Sequence, residues 1–60
     1  MTIDKIKHYM HPVIFNHWAE CQDIEVIKLA ASNLEREMKD GILQGIQYHA
    51  ELNFLQIKLG

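Results

Sequence analysis

The sequence predicts an all-α protein. Only one proline and three glycines interrupt its 60 residues. No segment alternates apolar and polar residues for long, whereas apolar residues recur at steps of three and four, as on one side of an α-helix. We expect residues 1–60 to form one small domain, with short N-terminal helices followed by a long helical hairpin or one long heptad helix. Because so short a chain buries a small core, we also expect it to assemble as a helical-bundle oligomer.

Two short helices are predicted at the N-terminus. Thr2 is a favourable N-cap for the first. Pro12 ends this helix and is suited to the first position of the second, where its missing N–H has no helical partner. The apolar face of the first helix consists of Ile3, Ile6 and Met10, and that of the second of Ile14, Phe15, Trp18 and Cys21.

A longer third helix is predicted to begin at Ile24, with Asp23 as its N-cap. Its apolar residues follow the a/d spacing of a helix seam. They are Ile24, Ile27, Ala31, Leu34 and Met38. Asp40 and Gly41 are a plausible stop, because glycine after a helix adopts the left-handed conformation without penalty.

The helical pattern resumes from Ile42 to Leu59 with two apolar stripes. The first comprises Ile42, Leu43, Ile46, Ala50, Phe54 and Ile57, and the second comprises Tyr48, Leu52, Leu55 and Leu59. The second stripe also continues the register of the third helix, which permits one helix running through Gly41 and Gly45. Two glycines inside a helix cost about 1 kcal/mol each relative to alanine, which favours a break.

The second stripe is the main functional signal. If the first packs within the chain, the second needs another polypeptide to cover it. The predicted partner or dimer interface comprises Trp18, Ile27, Leu34, Met38, Tyr48, Leu52, Leu55 and Leu59. In the alternative, one stripe packs on the 24–40 helix and the N-terminal helices cover the other, giving a self-contained bundle.

Composition argues against several classes of function. Six basic and eight acidic residues are spread along the chain, for a formal charge of −2, so no basic patch indicates nucleic acid or anionic lipid. No run approaches the roughly 18 apolar residues of a membrane span, and the charged N-terminus does not resemble a signal peptide. A single cysteine excludes an internal disulfide. We expect a cytoplasmic protein without membrane contact.

The N-terminal third contains the only candidate metal ligands. His8, His11, His17 and Cys21 have helical spacings that would suit a zinc mini-domain, but their pattern matches no common zinc motif. Cys21 is more simply interpreted as a small buried apolar residue. We expect no metal or other cofactor, and no enzymatic activity, because a catalytic pocket is difficult to build in so small a core.

The expected function is therefore binding. We predict a homodimeric regulator or inhibitor that binds and occludes a larger protein, with Trp18 and Tyr48 as anchors. A second candidate is a dimeric helix-turn-helix-like DNA-binding regulator, because a short helix, a tight turn and a longer helix occur in that order. The first turns of the longer helix carry one lysine, Lys28, against one glutamate, Glu25, whereas a groove-reading helix usually has several arginine, lysine, asparagine or glutamine side chains.

Overall fold

The computed structural model describes all of residues 1–60 and contains four α-helices and no strands, which confirms the all-α prediction. They are α1 (Ile3–Tyr9), α2 (Pro12–Glu20), α3 (Ile24–Lys39) and α4 (Ile46–Leu59). None of the four combines the length and the apolar character needed to cross a bilayer.

Local capping fixes where the first three helices begin. The Thr2 hydroxyl accepts a hydrogen bond from the Lys5 amide, and the Asp23 carboxylate accepts from the amides of Glu25 and Val26. Both N-caps are as predicted, and Pro12 occupies the first position of α2. The N-cap of α2 was not predicted: His11 Nδ1 accepts from the Val13 amide at 3.1 Å.

The end of α3 is a Schellman motif centred on Gly41. Its φ is +78°, its amide donates to the Met38 carbonyl, and the Ile42 amide donates to the Glu37 carbonyl. The chain does not return to a helix at Ile42 as predicted, but only at Ile46. Gly45 precedes α4 with φ of +135°, a conformation that glycine adopts far more readily than other residues. Helical structure is therefore interrupted between α3 and α4.

The last helix lies at the centre of the fold, because α1, α2 and α3 all pack against it. One buried cluster joins α1 to α4 and contains Ile6, Met10, Ala50 and Phe54. A second joins α3 to α4 and contains Ile27, Ala31 and Leu55. Trp18 of α2 contacts both clusters and so links the two halves of the core.

This arrangement corrects the expected division of α4 into a covered and an uncovered stripe. Leu55 is fully buried, and Leu52 and Leu59 pack against the cluster formed with α3, so the second stripe is largely covered within the chain. The first stripe is split instead. Its Ala50 and Phe54 are buried, whereas Ile42, Ile46 and Ile57 are exposed. The self-contained alternative therefore describes the packing of α4 better than an uncovered leucine stripe.

Candidate functional site

A cleft separates the junction of α1 and α2 from the first half of α4. Its volume is about 80 Å³, and it is lined by Met10, His11, Ile14, Gln47, Tyr48 and Glu51. Pro12 produces this geometry, because it begins a new helix immediately after Met10 and His11. Residues on both sides of the break then face α4. The cleft combines apolar side chains from the N-terminal segment with polar groups from α4.

Glu51 is fixed in position by a hydrogen bond from Trp18. The indole Nε1–H donates to Glu51 Oε1 at 2.9 Å, joining α2 to α4 across 33 positions of sequence. Both side chains are half-buried, and the indole ring also contacts the two core clusters. A buried indole normally needs an acceptor, and here the carboxylate supplies it. The bond therefore anchors α2 and fixes one carboxylate oxygen beside the cleft.

Further contacts hold α2 against α4, since α2 itself has no buried residue. The rings of Phe15 and Phe54 stack with centroids 4.7 Å apart and an interplanar angle of 5°. At the other end of the helix, Lys58 Nζ donates to the Ala19 carbonyl at 3.1 Å. Without the Trp18 contact, α2 would still be attached to α4 through the Phe15–Phe54 stack and the hydrogen bond from Lys58.

His11 lies at the edge of the cleft in a defined tautomer. Because Nδ1 accepts from the Val13 amide, the proton of the neutral ring is on Nε2. The imidazole is exposed, and its capping bond holds the first turn of α2. His11 is thus the N-cap of α2.

The other candidate ligands do not join His11. His8 packs edge-on against Tyr9, His17 packs edge-on against Trp18, and Cys21 contacts the cluster formed by α3 and α4. No group of three or more His, Cys, Asp or Glu side chains is placed to hold a metal ion. His8, His17 and Cys21 therefore each have different neighbours and do not converge on one point.

The predicted interface residues fall into two groups. Ile27 and Leu55 are fully buried in the chain's own core, so neither is accessible to a second chain in this fold. The other six are half-buried: Trp18, Leu34, Met38, Tyr48, Leu52 and Leu59. Trp18 and Tyr48 both lie at the cleft, because Tyr48 lines it and Trp18 donates a hydrogen bond to Glu51, which also lines it.

Sequence reasoning missed Glu51 and the most exposed apolar residues. Only the fold brings Glu51 to Trp18, since the two residues are 33 positions apart in the sequence. The sequence nevertheless indicates that Trp18 needs a hydrogen-bond acceptor, since a half-buried indole N–H is normally paired. The largest exposed apolar fractions occur at Val13 (69%), Ile42 (69%) and Leu29 (64%), none of which was predicted as an interface residue.

The helix-turn-helix outline persists as α2, a connection of three residues and α3. The first turn of α3 exposes Ile24, Glu25 and Val26. The side chains of this first turn offer no hydrogen-bond donor for phosphate or for guanine. The nearest exposed basic side chain on this helix is Lys28, which pairs with Glu25 at 3.9 Å.

In comparisons with known proteins, no family model matches this chain, and no curated protein or solved structure shows significant similarity to it. The candidate function therefore rests on the chain's own geometry and surface.

Proposed function

We propose that this chain is a small cytoplasmic protein-interaction protein, a homodimeric regulator or inhibitor that binds and occludes a larger protein. One observation carries the proposal. Eleven large apolar side chains are at least 42% exposed, whereas only seven residues are buried. Isolated exposed apolar residues are normal, but a surplus of this size in so short a chain favours contact with another polypeptide.

The outer side of α3 provides the self-association surface in this proposal. Val26 and Leu29 are three residues apart, which makes them neighbours on the helix surface, and both are exposed. Neither supports the core of the single chain. Valine also lowers helix propensity relative to alanine at an exposed position, so Val26 has no folding advantage there. A second copy that packs against this surface would give both residues a function and form a helical bundle with the α3–α4 hairpin.

The larger partner is proposed to bind at the cleft, with Trp18 and Tyr48 as anchors. Both are half-buried aromatic side chains, so their positions are already restricted before a partner arrives. Preordered aromatic residues are frequent sites of large binding energy because little side-chain entropy is lost on contact. The dimer surface and the partner surface then occupy different parts of the molecule.

Light scattering of three proteins tests self-association. The wild type is expected to give the mass of two chains at micromolar concentration. The variant Val26→Gln/Leu29→Gln is expected to give one chain with unchanged helicity, because only exposed methyl groups are removed. The matched control Glu25→Gln/Lys28→Gln changes the two neighbouring exposed positions, including the chain's one ion pair, and is expected to remain a dimer. A wild type of single-chain mass would contradict the dimer.

Partner binding is tested by capture from the native host followed by a functional assay. Wild-type bait and the Glu25→Gln/Lys28→Gln control should retain the same larger protein, and Tyr48→Ala bait should lose it. Addition of the wild-type chain in equal amount should then lower the activity of the captured protein. If that activity is unchanged, the regulator or inhibitor proposal is wrong even if the two proteins bind.

A further inference from the structure

We propose that the cleft beside Glu51 binds a cationic side chain, specifically an arginine presented by the partner protein. The source of the arginine depends on the proposed function, whereas the chemistry of the site does not.

Charge is the first reason. Glu51 takes part in no ion pair; the one ion pair in the chain joins Lys28 to Glu25. Its Oε1 accepts the Trp18 indole N–H, which leaves further lone pairs on the carboxylate, since a carboxylate has about four acceptor positions. The site therefore has a fixed negative group without a cation.

The chain's own lysines nearest to the α2–α4 contact are engaged elsewhere. Lys7 Nζ lies 5.9 Å from the centroid of the Phe15 ring, and Lys58 Nζ donates to the Ala19 carbonyl. Neither lysine lines the cleft. The net charge of −2 adds a weak attraction for cations in general. No lysine or arginine of this chain therefore lines the cleft and competes there with a cation supplied by another molecule.

Size and polarity select the kind of cation. At roughly 10–15 Å³ for each water-sized group, a cleft of about 80 Å³ accommodates about five to eight non-hydrogen atoms. That number suits one long side chain and excludes a large cofactor. Met10 and Ile14 offer apolar contact for a methylene stem, while Glu51 offers the acceptor for its head group. A long side chain with apolar methylene groups and a positively charged end therefore matches the apolar and acidic parts of the cleft.

A guanidinium fits the remaining groups better than an ammonium. Its planar fork of five N–H donors can bind a carboxylate with two parallel hydrogen bonds and still reach a second acceptor. Gln47 and Tyr48 also line the α4 side of the cleft, and a guanidinium can stack on an aromatic ring such as that of Tyr48. Arginine therefore uses more of the lining than lysine does.

An NMR titration of the wild-type chain with single amino-acid derivatives tests the site without a partner. The probe is N-acetyl-arginine methylamide, and its control is N-acetyl-citrulline methylamide, which has nearly the same shape but no charge. The arginine derivative is expected to shift the Trp18 indole N–H resonance and to saturate in the millimolar range, because one side chain supplies little binding energy. The citrulline derivative is expected to leave that resonance in place at the same concentrations.

Two matched variants locate the effect. Glu51→Gln retains an oxygen for the Trp18 N–H but loses the charge, and should weaken arginine binding by about tenfold or more. Glu20→Gln removes one exposed carboxylate of α2 and should bind like the wild type. Equal shifts with both derivatives, equal affinity in Glu51→Gln and wild type, or no saturating shift with arginine would each overturn the proposal. None of these results alters the light-scattering or capture tests of the proposed function.

Discussion

Truncation of Phe54 to alanine tests the packing of the N-terminal helices on α4. Phe54 is 6% exposed and belongs to the cluster that joins α1 to α4. Its ring also stacks on Phe15, so one side chain connects both N-terminal helices to the centre of the fold. Phe54→Ala should therefore loosen α1 and α2 together.

The free energy of unfolding that Phe54→Ala should lose is large relative to the total stability of the chain. Removal of a buried phenylalanine costs about 3–5 kcal/mol, including the stacking energy and the cavity that remains. A chain of this length has an unfolding free energy of roughly 3–9 kcal/mol at ordinary stability per residue. Phe54→Ala should thus lose at least about a third of the unfolding free energy, whereas Phe54→Leu, which retains most of the volume, should lose only about 1–2 kcal/mol.

Urea denaturation at a fixed chain concentration, followed by far-ultraviolet circular dichroism, measures both variants. A fixed concentration is required because self-association makes apparent stability depend on it. A loss of unfolding free energy below about 1 kcal/mol in Phe54→Ala would contradict the packing of this ring between three helices, because removal of a buried phenylalanine costs more than that. Equal losses in the alanine and leucine variants would likewise show that volume at this position is unimportant.

Three further predictions concern single contacts. A double-mutant cycle of Trp18→Phe and Glu51→Ala in urea should show coupling of about 1–2 kcal/mol, and additive losses would mean that the hydrogen bond contributes nothing. Gly41→Ala should lower the unfolding free energy by about 1–2 kcal/mol, because its φ of +78° strains any side chain; an unchanged thermal midpoint would contradict the Schellman motif. His11→Ala should cost about 1 kcal/mol through the lost cap of α2, while His11→Ser should restore the stability; equal midpoints for the two variants would exclude capping.

Helix starts were predictable where one residue determines them. Thr2, Asp23 and Pro12 act through their own side chains on amides or backbone angles close by, so their effect is local in sequence. The start of α4 was predicted at Ile42 and occurs at Ile46. Its N-terminus has no side-chain cap, and the apolar residues of the 40–45 connection mimic a helical pattern.

The distribution of helices around α4 was less accessible to sequence reasoning. Both stripes of α4 are apolar, and the sequence pattern alone does not determine which helix packs against which stripe. That choice depends on the direction that the chain takes after Pro12 and Gly41. The cleft could not be predicted for the same reason, since it depends on which helix packs on which stripe. Trp18 and Tyr48 were expected to be functional, but Glu51 contacts Trp18 only when α2 packs beside α4.

Hydrogen exchange of the α4 backbone amides in Val26→Gln/Leu29→Gln, at a concentration where light scattering gives a single chain, tests the central claim most directly. That claim is that the chain's own α1, α2 and α3 bury the core side of α4, which comprises Ala50, Phe54 and Leu55, without a second chain. The amides from Ala50 to Leu55 should be protected in the single chain as strongly as the amides of α3. Exchange at the rate of an unfolded peptide in this segment, with α3 still protected, would show that α4 needs a second chain and would contradict the account.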